Sequence, residues 1–304
     1  MKEGENAFES GLFCSSHRSG RTPLYFFRPA GKQRARTCER NENQMIKLGA
    51  IGCGNMATAI IRGAAKGMKG KIAFAGYDID PKKAEALSDV GLEAKASAAE
   101  LVEWSDYVLF SVKPQNFPEM FASLNGASGK DKVFISIAAG ITAEAIKTAL
   151  GFDAKVVLVM PNTPLLVGMG ATAMAPVEPT TREEFENVKE IFGCAGLVCE
   201  IPADKLCEVI ALNGSSPAFL YEYAKGFIRY GEENGIPYET GLKLFCQSMR
   251  GAADMMEHSG KDVEELIQMV SSKGGTTIAG LEGLSEMGLQ KAVTRCCENC
   301  TKRA

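Results

Sequence analysis

The sequence predicts an α/β fold: a doubly wound parallel sheet domain followed by an all-helical domain. Three observations predict it. From Ile46 to about Pro202, short apolar runs alternate with segments of helical period. The first of those runs flows into a glycine-rich turn that opens a helix. After Pro202 the strand-like runs stop, and helical periodicity continues to the C-terminus. The expected organisation is a disordered extension over 1–44, a sheet domain over 45–202 and a helical domain over 203–304.

Composition narrows the class. A chain of 304 residues with a hydrophobic fraction of 45% has enough apolar material for two ordinary globular domains. A net charge of −3 gives no footprint for nucleic acid or an acidic membrane. No apolar run approaches the ~20 residues that span a bilayer. The 10 cysteines follow no disulfide-framework spacing, so reduced thiols in a cytoplasm are expected. Cys297 and Cys300 form a C-x-x-C with Cys296 beside it, but no histidine lies near, and no metal site is expected. His17 and His258 stand in polar surroundings, far apart, and neither reads as a catalytic base.

Residues 1–44 mix Arg, Ser, Gly and Asn around one short patch, Leu24-Tyr25-Phe26-Phe27. The patch is too short for a signal-peptide core, and Glu3, Glu5, Glu9, Glu39 and Glu42 argue against a transit peptide. Met45, just before the first strand, suggests that an upstream start codon adds the extension.

The first strand, Ile46–Ile51, runs into Gly52-Cys53-Gly54-Asn55-Met56-Ala57 and a helix through Ile60, Ile61 and Ala64. This is the G-x-G-x-x-A form of the Rossmann-type dinucleotide fingerprint, set between strand and helix as its mechanics require. Gly52 makes the tight turn, Gly54 admits the pyrophosphate to the helix start, and Ala57 allows close packing. A second strand, Ile72–Tyr77, ends at Asp78, about 20 residues beyond the glycines, where an acid accepts from the adenine ribose and disfavours a 2′-phosphate. Lys82 and Lys83 follow and could hold that phosphate. The cofactor is therefore left as NADP or NAD.

Ser97 with Glu100 reads as a capping box. Further strands are expected over 107–112, ending at Lys113-Pro114, over 133–137, ending at Ala138-Ala139-Gly140 before a Thr142 cap, and over 156–160, ending at Pro161-Asn162-Thr163-Pro164. Ligands bind beyond the carboxyl ends of such strands, so Ser111, Val112, Lys113, Pro114, Ala138, Ala139 and Asn162 fall on the expected cofactor edge. Two more strands, 171–175 and 197–201, flank a helix opened by Thr181 and Glu184.

The helical half begins with Asn213-Gly214-Ser215-Ser216-Pro217 and a long helix over 216–234. Gly235-Ile236-Pro237 breaks it. The next helix, over 238–257, sets Leu242, Phe245, Met249, Ala252 and Met256 at three-and-four spacing, which is either an intrachain core stripe or a dimer seam. Ser271-Ser272-Lys273-Gly274-Gly275-Thr276-Thr277 then precedes Ile278, Leu281 and Leu284 at helical spacing. A helix start of this kind is either an ordinary Thr cap or a seat for a small carboxylate or phosphate.

Gly274-Gly275-Thr276-Thr277-Ile278-Ala279-Gly280-Leu281, with Leu266, Val270, Ser271 and Ser272 before it, resembles the C-terminal signature of the pyrroline-5-carboxylate reductases. Val112-Lys113-Pro114, Ala138-Ala139-Gly140 and Met160-Pro161-Asn162-Thr163-Pro164 extend the likeness from Ile46 onward. The resemblance implies NAD(P)H-dependent reduction of 1-pyrroline-5-carboxylate to L-proline. It implies a cofactor shell of Ile51, Gly52, Cys53, Gly54, Asn55, Met56, Asp78 and the edge residues above. Ser272, Gly274, Gly275, Thr276 and Thr277 would hold the substrate, with Thr277 as the catalytic hydroxyl. Residues 203–304 become a substrate-binding and dimerisation domain, whose interlocking helices imply a homodimer or higher homo-oligomer. The sequence departs from the family at Lys273, where proline is common, at Ser285, and at Cys207, Ile210 and Asn213, where aspartate, threonine and serine are usual.

The lack of a convincing base favours an imine over a ketone. Reducing a ketone leaves an alkoxide in need of a proton donor, whereas a protonated cyclic imine needs only hydride. Two alternatives remain at this level: a related imino- or hydroxy-acid dehydrogenase, and a nucleotide-binding paralogue without turnover.

Overall fold

The computed structural model describes residues 45–303, apart from Asn125 and Ser128. The expected extension, with Leu24-Tyr25-Phe26-Phe27 and His17, lies outside the described residues. Eight strands form one sheet in the order β3-β2-β1-β4-β5-β6-β7-β8. They are β1 (Ile46–Ile51), β2 (Ile72–Tyr77), β3 (Leu92–Ala94), β4 (Tyr107–Phe110), β5 (Val133–Ser136), β6 (Lys155–Met160), β7 (Gly170–Val177) and β8 (Gly196–Glu200). Every neighbouring pair is parallel except β6 with β7.

The doubly wound, predominantly parallel sheet is as expected, and the antiparallel β6–β7 pair is its one exception. A parallel partner needs a crossover of about a dozen residues or more. Here a 3₁₀ turn over Thr163–Val167, ending on Gly168, joins β6 to β7, so the chain can only double back. The short β3, which pairs with β2, has too little apolar pattern to be read from sequence. The strands expected over 107–112 and 133–137 stop at Phe110 and Ser136, where the backbone turns towards the sheet edge.

Helices cover both faces. On one lie α1 (Asn55–Gly67) and α6 (Arg182–Gly193), which bury Ile60, Ile61 and Ala64 with Phe185, Val188 and Phe192. On the other lie α3 (Ala98–Trp104), α4 (Phe117–Ser123) and α5 (Ala143–Leu150), through Leu101, Val102, Met120 and Ile146. Burying each such large side chain contributes roughly 1.5–3 kcal/mol. The helix starts follow their caps. Thr181 and Glu184 complete the reciprocal box on α6. Thr142 Oγ1 accepts from Ala145 N–H at 3.1 Å. Ser97 Oγ accepts from Glu100 N–H at 3.1 Å, while the Glu100 carboxylate reaches back one residue further, to Ala96 N–H. The short α2 (Pro81–Glu85) is capped by Asp80.

After Pro202 the described chain is helical: α7 (Leu206–Val209), a π turn (Ile210–Gly214), α8 (Ser216–Glu233), α9 (Tyr238–His258), α10 (Val263–Met269), α11 (Thr276–Glu286) and α12 (Leu289–Arg303). The Phe245 ring of α9 stacks on Phe227 of α8 at 4.7 Å between centroids. The expected stripe splits. Leu242, Phe245 and Met249 are half-buried, but Ala252 and Met256 are exposed. No residue of α9, α10, α11 or α12 is fully buried.

Phe110 is fully buried and meets Phe117, Phe121 and Phe134 at 6.0, 5.6 and 5.4 Å. Phe110→Ala is expected to lower unfolding free energy by about 3–5 kcal/mol in urea titration; a loss below about 1 kcal/mol would mean that the cluster collapses onto the gap.

Candidate active site

The strand register sets the site. Ile51 pairs with Tyr77 on one side and Phe110 on the other, and Phe110 pairs with Ser136. The residues that follow, Gly52, Asp78, Ser111 and Ile137, therefore emerge in one row at the carboxyl edge. The row is centred between β1 and β4, where the strand order reverses, and ligands of open α/β sheets bind at such a reversal.

Gly52 has φ +91°, and a Cβ there would lie 3.0 Å from Ser111 carbonyl carbon and oxygen. Only glycine tolerates both the left-handed backbone and the approach. Ser111 locks the crossing: its N–H donates to Ile51 O at 3.0 Å and its hydroxyl to Gly52 O. Gly54 is the N-cap residue of α1, and no side chain caps that end. A Cβ on Gly54 would meet no heavy atom within 4 Å. The first amides of α1, belonging to exposed Asn55 and half-buried Met56, thus face open space. Uncapped helix amides beside a side-chain-free approach suit a pyrophosphate. A dinucleotide fits this edge.

Asp78 does more than its sequence position suggested. Its side chain is only 8% exposed. One oxygen accepts from Cys53 N–H at 2.8 Å, inside the glycine-rich loop. The other accepts from Asp80 N–H at 2.9 Å and Lys83 Nζ at 3.3 Å. A carboxylate offers about four acceptor positions, so three bonds still leave room for a ribose hydroxyl. Lys83 is thereby engaged, while Lys82 is exposed. Burial, reinforced by the Asp78 charge and only partly opposed by Lys83, pushes the Cys53 thiol up to about 12. Cys53 is a packed thiol and not a nucleophile.

Along the same edge Val112 is half-buried, Lys113 and Pro114 are exposed, and Ala138 N–H donates to Ser136 Oγ at 3.4 Å beside exposed Ala139. Asn162 differs. It is buried, its Oδ1 accepts from Ala171 N–H at 2.9 Å, and its Nδ2 donates to Asn213 O at 3.1 Å. Asn213, in the π turn, returns its own Nδ2 to Met160 O at 2.7 Å and to Ala171 O at 3.0 Å. Its Oδ1 is buried without a protein partner. Each bond is worth about 0.5–1.5 kcal/mol, and an unpartnered buried acceptor costs about 1–3 kcal/mol. Sequence reading missed this pair; its only local trace was asparagine in place of a usual serine. The other two departures fall differently: Ile210 is buried in the apolar joint with Met160 and Leu206, and Cys207 is exposed.

At the second predicted region, Gly275 is the N-cap residue of α11, and no side chain caps it. Thr276 and Thr277 are the first two helical residues, so neither is the simple cap that the sequence allowed. Gly274 has φ +72°, and Gly275 N–H donates to Ser272 O at 2.9 Å, which folds the loop under the helix start. Ser272 and Thr276 are exposed and Thr277 is half-buried. Helix α11 packs mainly on α12. Among the described residues, no hydrogen bond joins 272–277 to the sheet edge.

Comparison with known proteins gives the following. Residues 203–304 match the profile described as pyrroline-5-carboxylate reductase dimerisation, and residues 47–140 match that of NADP oxidoreductase, coenzyme F420-dependent. The pyrroline-5-carboxylate reductase of Escherichia coli is 34% identical over 262 residues, which is 85% of this chain and 97% of that protein. The enzyme of Pisum sativum is 32% identical over 258 residues, 84% of this chain and 94% of that protein. The crystal structure of Plasmodium falciparum pyrroline carboxylate reductase with NADP bound superposes with a TM-score of 0.77 at 28% identity, covering 86% of this chain and 97% of that one. The Streptococcus pyogenes enzyme gives 0.78 at 28%, covering 85% and 98%.

Two outcomes follow from the loop geometry. Gly54→Val places a branched side chain where the open approach lies. It should raise the cofactor dissociation constant at least about tenfold, or 1.4 kcal/mol, in a fluorescence titration, with circular dichroism unchanged. In the native protein at pH 8, iodoacetamide should label exposed Cys199 and Cys207 and spare Cys53; labelling of Cys53 at the same rate would contradict its buried, protonated state.

Proposed function

The chain belongs to the pyrroline-5-carboxylate reductase family, and on that premise we propose that it reduces 1-pyrroline-5-carboxylate to L-proline with NADPH or NADH. The observation that carries this reading is that two helix starts have glycine as the N-cap residue and no side chain over their first amides. One is α1, behind a glycine turn at the strand-order reversal, and the other is α11, behind Gly274-Gly275. The first suits a dinucleotide and the second a small carboxylate.

The nicotinamide supplies a hydride when bound. The residues of this chain hold and orient. Ile51, Gly52, Cys53, Gly54, Asn55 and Met56 line the pyrophosphate approach. Asp78 steadies the loop and faces the adenine ribose. Ser111, Val112, Lys113, Pro114, Ala138 and Ala139 form the rest of the edge. Asn162, with one amide hydrogen on Asn213 O and its Oδ1 on Ala171 N–H, completes that edge and keeps its second amide hydrogen for the cofactor. The amides behind Gly274, Gly275 and Thr276, with Ser272, seat the substrate carboxylate, and Thr277 Oγ1 reaches the ring nitrogen or the carboxylate. A cyclic imine that enters protonated brings its own proton, so hydride arrival at carbon completes the amine. The protein then needs no strong base. The described histidine, His258, is an exposed residue at the end of α9, where its Nδ1 lies beside Asp254. Orientation and lost entropy are the main sources of acceleration in such a site.

The assembly is a homodimer or higher. Tyr221, Tyr230, Leu244 and Val270 are 66%, 67%, 63% and 66% exposed on the helical region, the region that matches the dimerisation profile. A second copy covers these apolar faces. Every described cysteine is free, in keeping with a cytoplasmic protein, and no described helix is long and apolar enough to cross a membrane.

Thr277→Val keeps the side-chain shape and removes the hydroxyl. A lost hydrogen bond to a charged partner is worth about 1.5–3 kcal/mol, which predicts a roughly ten- to hundredfold fall in kcat/KM. Steady-state reduction of pyrroline-5-carboxylate checks this beside a cofactor titration, in which the dissociation constant should stay put. Equal kcat/KM in both proteins would leave Thr277 with no role beyond starting the helix.

A further inference from the structure

We propose that Asn213 is a positioning residue: its clasp with Asn162 fixes the helical region against the cofactor edge and so sets the distance over which hydride passes. The inference rests on the reading of the reaction given above. Three hydrogen bonds join the sheet edge to the helical region here, and all three involve Asn213. Its two amide hydrogens reach the carbonyls of Met160, the last residue of β6, and Ala171, in the antiparallel β7. Its own carbonyl accepts from Asn162, whose Oδ1 holds Ala171 N–H. The two asparagines thus tie both strands of the β6–β7 pair to one turn of helix.

That turn is a π turn, with Ser215 N–H donating to Ile210 O at 2.8 Å. Single π turns often mark functional sites. This one puts Asn213 on the sheet while Gly214, Ser215 and Ser216 lead into α8. The apolar layer beside it is thin: Met160, Ala173, Ala175, Leu206 and Ile210 are its buried members. Apolar contacts are non-directional and tolerate sliding, whereas directed bonds to two fixed carbonyls do not. A serine has one hydroxyl hydrogen and can serve only one of them at a time. The amide serves both and leaves Oδ1 buried without a protein partner, so the double donor is what the position provides.

The test compares wild type with Asn213→Ala and Asn213→Asp, with Asn187→Ala as control. Asn187 is half-buried and also has a buried Oδ1 without a protein partner, but it donates to Tyr107 Oη at the opposite end of β4. Pyrroline-5-carboxylate reduction is followed with ordinary and 4-deuterated NADH or NADPH, beside a direct cofactor titration and thermal melts. Asn213→Ala should lower kcat about ten- to hundredfold, the range expected for misplacement of the order of 1 Å. The primary deuterium isotope effect should rise and the cofactor dissociation constant stay within about twofold. Asn187→Ala should lower the melting temperature and leave kcat and the isotope effect alone. In Asn213→Asp only the protonated carboxyl can donate. Its activity relative to wild type should be greatest at low pH and fall as pH rises and the buried acid ionises. An Asn213→Ala protein that merely melts earlier, with kcat and isotope effect unchanged, overturns the proposal. So does a raised cofactor dissociation constant with kcat intact, which would make this edge a cofactor contact.

If Asn213→Ala does not fold, Asn162→Leu keeps the side-chain shape, removes the donor to Asn213 O together with the acceptor for Ala171 N–H, and is held to the same criteria. If wild type does not turn over pyrroline-5-carboxylate, the reading of the reaction fails. The clasp is then decided by amide hydrogen exchange over 210–217 with cofactor bound: faster exchange in Asn213→Ala upholds it, and unchanged exchange overturns it.

Discussion

The structure turns on a corner that has no room for a side chain. Where β1 ends, Gly52 passes so close to Ser111 that a Cβ would lie 3.0 Å from its backbone. That closeness lets Ser111 bond both Ile51 and Gly52 and hold the β1 and β4 exits together. The strand order reverses at the same place. Crowding behind the loop and openness in front of it have one cause: with no side chains at Gly52 and Gly54, the backbone itself forms the surface of the loop, and the first amides of α1 are left uncapped.

Asp78 couples this corner to the neighbouring strand. Its oxygen on Cys53 N–H holds the loop shut from below, and its bonds to Asp80 N–H and Lys83 keep the carboxylate from swinging away. The effect on Cys53 is a by-product. A thiol buried beside a fixed carboxylate resists ionisation, so a residue in the middle of the glycine-rich loop is chemically quiet. One acid therefore shapes the loop, adds to the burial that keeps its cysteine protonated and still has a free acceptor position.

The helical region follows a different logic. The sheet buries its own faces within one chain, whereas α9 to α12 have no fully buried residue. Helices with apolar stripes need a partner surface. Here α8 and α9 supply part of it through Phe227 and Phe245, and the remainder lies open. The proposed seat at α11 belongs to this outward-facing half and the proposed cofactor corner to the inward-packed one, and the joint at Asn162 and Asn213 lies between the sheet edge and the helical region.

Local sequence determined much of this. The strand–turn–helix at Ile46 to Ala64, the strands at Ile72–Tyr77 and 156–160, the Thr142 and Thr181 caps and the long helices after Pro202 are all written in spacing and residue type within a few positions. The resemblance at Gly274 to Leu281 pointed to the family from residues contiguous in the chain. What tertiary structure decided lies between distant residues. The antiparallel β7 depended on how tightly 163–168 could turn. Asp78 meets Cys53 across 25 positions, and Asn162 meets Asn213 across 51. The apolar stripe of α9 is half seam and half exposed because only part of it lies against α8. Periodicity states which face of an element is apolar, but not what comes to lie against it. That depends on which strand edges and helix ends the packed sheet brings within hydrogen-bond distance.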